Sequence, residues 1–127
     1  MKSLFLILGF LLIFTFCSNG QEIGKKVYEK NCLSCHQQDG MGVPGLNPPL
    51  VRTTWVVGNK AKLIQVVVFG ITIPLEIDGE TYHNPMPANQ HLSDDQIAAV
   101  LTYIRSHFGN KASTVSAAEV KKVRTKK

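Results

Sequence analysis

Five consecutive residues, Cys32-Leu33-Ser34-Cys35-His36, constrain this chain more than any other feature. Two cysteines separated by two residues and followed at once by histidine form the attachment signature of a covalently bound haem. One helical turn presents both thiols to the two vinyl groups on one porphyrin edge. The histidine then falls beneath the iron as its proximal ligand. Cys-x-x-Cys alone also occurs in thioredoxin-like redox pairs and as half of a zinc site. A zinc site needs two further ligands, and the chain has neither a second cysteine pair nor a His-x3-His spacing. A thioredoxin-like pair needs a strand before it, whereas Ile23 to Asn31 reads as a polar amphipathic helix. Covalent haem c, with its iron, is the cofactor that fits.

The length of 127 residues is that of one domain, and residues 1–20 stand apart from it. Lys2 precedes an apolar run from Leu4 to Phe16, shorter than the roughly 20 residues of a bilayer span. The run has the flanks of a secretory signal peptide, with Ser18-Asn19-Gly20 as its cleavage site. An exported, periplasmic bacterial protein is expected, since haem is attached to such motifs outside the cytoplasm. Cys17 then leaves with the signal. The alternative makes Cys17 a lipidated N-terminus, although Phe16 is bulkier than the residue lipoprotein signals carry there. Membrane attachment is expected only by that route or if the signal is retained.

The net charge of +5 belongs to a tail. From Gln21 to Asn110 there are seven basic and eight acidic side chains, whereas Lys111 onward holds six basic and one acidic. No aromatic residue interleaves with that tail, which argues against nucleic acid as a partner.

The rest of the chain divides into short elements. Ile23, Val27 and Tyr28 mark one face of a first helix, where Gly24 leaves room for a second helix to cross closely. The expected partners of Gly24 are Val100 and Tyr103. Gln37 to Pro49 is rich in glycine and proline and reads as a wrapped loop. Val51 to Val57 is an apolar run around Trp55, expected to pack, with its indole N–H free to meet a haem propionate. Lys60 to Phe69 carries a Val66-Val67-Val68 run that favours a strand. Asn59 as N-cap, Gly70 as C′ residue and the shared face of Leu63, Ile64 and Val67 favour a helix instead. Ile73 to Ile77, Asp78-Gly79 and Glu80 to His83 predict a β-hairpin on a type I′ turn. Ser93-Asp94-Asp95-Gln96 is a capping box with Leu92 stapling onto Ile97. Ile97, Val100, Leu101, Ile104 and Phe108 then mark a helical stripe that Gly109 ends.

A low-spin haem needs a sixth ligand, and methionine opposite histidine raises the reduction potential. Met1 leaves with the signal, and Met41 lies too close in sequence to His36 to reach round the ring. Met86 remains, in Asn84-Pro85-Met86-Pro87, where the prolines stiffen the loop. His83 or His91 would give a bis-histidine haem in the alternative. His107 reads as a surface residue.

With these features in place the chain resembles a class I cytochrome c from about Ile23 to Asn110. The resemblance is carried by Gly24 and Tyr28, Cys32-Leu33-Ser34-Cys35-His36, Pro48-Pro49-Leu50, Met86-Pro87 and Tyr103. It implies an all-α fold of three to four helices around one haem, with a small β-hairpin and long loops. It also implies that the first and last helices cross near Gly24, and that a proline carbonyl, that of Pro48 with Pro49 as the alternative, accepts a hydrogen bond from His36. The ending Tyr103 to Asn110, with Val115 to Arg124 after it, is similar to cytochrome domains associated with periplasmic quinoprotein dehydrogenases. Together with the apolar N-terminus and the basic tail, the resemblance divides the chain into a signal (1–20), a cytochrome domain (21–110) and a basic extension (111–127). Ser116-Ala117-Ala118-Glu119 is expected to cap a short extra helix in the extension.

The expected function is one-electron transfer with His36 and Met86 as axial ligands, without a catalytic residue. A dehydrogenase is the implied donor and an oxidase or another cytochrome the acceptor. Two rivals differ in chemistry. A haem peroxidase or gas sensor would keep its sixth position open, and a thiol-disulfide oxidoreductase would use Cys32 and Cys35 as free thiols.

Overall fold

The computed structural model describes residues 19–72 and 74–126. Most of the segment read as a signal peptide, Cys17 included, lies outside the described residues, as does Ile73. Six helices and one two-stranded hairpin make up the described part: α1 (residues 19–31), α2 (Leu33–His36), α3 (Thr54–Val57), α4 (Lys60–Phe69), β1 (Leu75–Ile77), β2 (Glu80–Tyr82), α5 (Asp94–Ser106) and α6 (Ala117–Thr125). Helices α2 and α3 are single turns, so α1, α4, α5 and α6 carry the architecture. No helix among the described residues is long and apolar enough to cross a membrane.

Helix α1 buries Gly24, Val27 and Tyr28, spaced i, i+3 and i+4. Ile23, expected on this stripe, is 46% exposed, because the stripe runs through Gly24 instead. A Cβ on Gly24 would collide with the Ala99 carbonyl oxygen and lie 2.7 Å from Tyr103 Cβ. Helices α1 and α5 therefore meet backbone to backbone at this point. Tyr103 is the expected partner; the other is Ala99, not Val100. Val100 sits one residue round the helix and lines an interior cleft.

The caps act where the sequence places them. Asn59 accepts from the Lys62 amide at 3.0 Å, and Gly70, at φ 73°, donates to the Val66 carbonyl. Between them α4 buries Leu63, Ile64, Val67 and Val68, so packing of one helical face overrides the strand propensity of the valines. Ser93 and Gln96 close a reciprocal capping box on α5. The helix stops at Ser106, short of Gly109. Phe108 leaves the helical stripe at φ 56° and packs its ring 5.2 Å from that of Tyr28. The hairpin pairs Leu75 with Tyr82 across Asp78-Gly79, both at positive φ as a type I′ turn requires. The Val51–Val57 run contains α3, capped by the Thr53 hydroxyl.

Helix α6 is a built part of the core. Ser116 and Glu119 form its capping box, and Val115 and Val120 are buried against α4 and α5. At one end Lys60 of α4 meets Glu119 at 2.5 Å; at the other Arg124 meets Asp94 of α5 at 2.7 Å.

Both the helix crossing and the Glu119 contact can be tested. Gly24→Val forces the α1–α5 crossing apart and should lower stability by about 1–3 kcal/mol in denaturant unfolding. Glu119 is held at a pKa of about 2 by the Lys60 ammonium beside it and the Ser116 amide, below an ordinary 4.5. A depressed carboxylate contributes stability that is complete above its unfolded pKa and is lost as pH falls towards the folded one. Thermal unfolding of Glu119→Gln should therefore show a shallower acid slope than the native protein between 4.5 and about 2.

Candidate haem site

The Cys-x-x-Cys-His segment is gripped from behind. Tyr28, 2% exposed, donates its hydroxyl hydrogen to the Gln37 carbonyl at 2.5 Å. The Cys32 amide donates to the Tyr28 carbonyl and the His36 amide to the Cys32 carbonyl, each at 2.9 Å. Between these bonds α2 is one turn that brings Cys32, Cys35 and His36 to the wall of a single cleft.

His36 is buried, and its Nδ1–H donates to the Pro48 carbonyl at 2.9 Å. Burial holds its pKa below the ordinary value against the opposing pull of that hydrogen bond. A neutral ring with its proton on Nδ1 leaves the Nε2 lone pair free to bind a metal. The loop from Gln37 leads to this proline, and Asn110 anchors the residues just beyond it. That side chain is buried and fully used: it donates to the Leu50 and Ile104 carbonyls, each at 2.8 Å, and accepts from the Arg52 amide at 2.7 Å.

Met86 lines the same cleft and is half-buried. Its backbone is pinned on both sides by Ile71: each amide donates to the other carbonyl at 2.8 Å. Asn89 adds a tie by donating its side-chain amide to the Val67 and Pro87 carbonyls, both at 3.2 Å. Gly70 makes the close approach feasible. A Cβ there would collide with the Met86 carbonyl oxygen and stand 2.7 Å from the Ala88 amide, at a φ of 73° that already favours glycine. The flanking prolines thus share the stiffening with three residues that the local sequence pattern does not connect to Met86. Gly70 carries a signal as a helix terminator, but nothing local says which segment lies on it.

The other candidates are elsewhere. Met41 is 55% exposed, outside the cleft. His83 sits at the hairpin end, its amide donating to the Gly45 carbonyl, and His91 meets the Asn31 side chain at 3.3 Å; both are exposed and neither lines the cleft. His107 is exposed as expected, yet ordered by stacking on Tyr103 at 3.9 Å. Trp55, on α3, lines the cleft half-buried, and Lys62 Nζ stands 3.6 Å from its ring centroid as a cation–π partner.

The cleft suits a haem by its chemistry. Its thiols and imidazole come from one short segment, its thioether from another, and its walls are apolar, with Leu50, Val56, Val67, Ile77 and Leu101 among them. Free dithiol catalysis suits it poorly. Burial and then the neighbouring Cys35 push the Cys32 thiol up to about 11, where a reactive pair needs a depressed value.

Comparison with known proteins identifies the family. The cytochrome c family profile matches residues 21–108. The chain is 36% identical over 132 aligned positions to cytochrome c-552 of Thermus thermophilus, covering 97% of this chain and 84% of that one. It is 40% identical over 109 positions to the fructose dehydrogenase cytochrome subunit of Gluconobacter japonicus. It is also 36% identical over 104 positions to the cytochrome c subunit of the quinone alcohol dehydrogenase of Gluconobacter oxydans. Each of these two matches covers 80% of this chain and 22% of the longer subunit. The chain belongs to the cytochrome c family, as an electron-transfer protein that carries covalent haem c rather than an enzyme.

Proposed function

We propose that this protein is an exported monohaem electron carrier in which Cys32 and Cys35 hold the porphyrin and His36 and Met86 are the axial ligands. The carrying observation is that the Nδ1–H of His36 is committed to Pro48 while the side chains of His36 and Met86 line one apolar cleft. When bound, the haem supplies a single electron through its ferric and ferrous states. The chain's own residues do the rest. Pro48 orients the imidazole and strengthens it as a donor. Ile71, Asn89 and Gly70 hold the Met86 thioether in place, and the apolar walls exclude water, which favours the less charged ferrous state. Trp55, half-buried in the cleft wall, is the proposed donor to a propionate.

The partners are redox proteins. A dehydrogenase as donor fits the cytochrome subunits among the relatives, and an oxidase or another cytochrome is the acceptor. Residues 1–20 act as the signal, residues 21–110 as the cytochrome domain and residues 111–127 as an extension that braces it. The periplasm is the place where such a chain acquires haem.

Met86→Ala tests the ligand assignment. The haem should stay attached, turn high-spin in the ferric state, fall in potential and become open to small added ligands. An unchanged spectrum and potential would instead point to His83 or His91. Gly70→Ala should act in the same direction but less completely, weakening the methionine–iron absorption band without abolishing it. A native band in that variant would sever Gly70 from the ligand loop.

A further inference from the structure

Arg105 lies on α5 beside Ile104, a residue of the cleft wall, and is only 2% exposed. A buried arginine is ordinarily paired with a carboxylate. Here the partners are neutral. Nε donates to the Ser113 carbonyl at 2.7 Å, and Nη1 to the carbonyls of Val56 at 2.7 Å and Gly58 at 3.2 Å. Nη2 donates to the Ser113 hydroxyl at 3.1 Å. Glu119 is the carboxylate whose field reaches it, and that group is already engaged by Lys60 at 2.5 Å and by the Ser116 amide at 2.9 Å. Burial lowers the Arg105 pKa, yet a guanidinium keeps its proton in a protein. The result is a fixed positive charge, sheltered from ionic screening and bonded to the backbone of Val56, which itself lines the cleft with Trp55.

We propose that Arg105 is a positioning charge for the redox reaction: its buried guanidinium raises the reduction potential of the bound haem. The oxidised group carries one more positive charge than the reduced one. A cation held behind the cleft wall therefore disfavours the oxidised state, and in a medium less polarisable than water this repulsion is damped less than it would be in solvent. The reaction balances as one electron gained, with no proton moved and Arg105 unchanged. The carbonyls orient their oxygens towards the guanidinium but bring no net charge to cancel it. The same fork also ties α3 to α5 and to the segment before α6. A charge effect and a clamping effect must therefore be separated. The inference requires haem in the cleft but does not depend on which residue is the sixth ligand.

Redox titration of the holoprotein, with unfolding temperature and absorption spectra on the same samples, separates them. Arg105→Gln removes the charge; Arg105→Met does so with a stem that fits a buried site, should glutamine not fold. Either is expected to lower the midpoint potential while both oxidation states keep native spectra. Arg105→Lys keeps a charge but loses the fork, so its unfolding temperature should fall while its potential stays near native. Ser113→Ala removes one bond only and should lower stability with the potential unmoved. An unchanged potential in the neutral variants overturns the proposal. So does a drop matched by Arg105→Lys or Ser113→Ala, or one accompanied by an altered spectrum: Arg105 would then be a clamp alone.

Discussion

Much of the structure serves to hold one imidazole by the nitrogen that a metal would not use. The His36 Nδ1–H···O=C bond to Pro48 is 2.9 Å long and partly buried, and it needs a carbonyl that cannot drift. The loop from Gln37 to Pro49 has no regular ladder to fix that carbonyl. It is fixed by the Val43–Asn47 bridge and the Leu50 amide on the Gly40 carbonyl, and at its two ends by Tyr28 on Gln37 and by Asn110 on Leu50 and Arg52. Both anchors come from the neighbourhood of the α1–α5 crossing. A contact that lies outside the cleft therefore contributes to how the ring inside it is aimed.

The Met86 side of the cleft solves the same problem differently. In the proposed ligation the thioether is a weak ligand on a flexible stem, so its backbone must be immobilised by groups other than the sulfur. Here the loop is laid against the end of α4, with Ile71 and Asn89 supplying hydrogen bonds and Gly70 supplying the missing volume. Helix α4 in turn is held by α6, through the buried Val120 and the Lys60–Glu119 pair. The basic C-terminal segment thus belongs to the support of the cleft, although its charge pattern alone describes a solvated tail.

Local signals were readable wherever a local rule determines the answer. The haem segment, the two capping boxes, the Asn59 and Gly70 boundaries and the Asp78-Gly79 turn each occupy a few consecutive residues. Their hydrogen bonds close within that span. Ile23 and Phe108 show where such reading ends. Both fit a helical apolar period, yet one faces solvent because the glycine beside it takes the contact, and the other leaves the helix to cover Tyr28.

From the chain of letters alone, the covalent cofactor and the longer helices were determined, because each comes from spacing along one stretch of backbone. Only the tertiary structure decided that Ala99 and not Val100 receives Gly24, that Gly70 seats the Met86 loop, and that Arg105 is buried among neutral acceptors. Those are contacts between segments far apart in the chain. Their partners are chosen by which volumes and which unpaired carbonyls meet when the core closes, and that choice leaves no periodic trace in either segment.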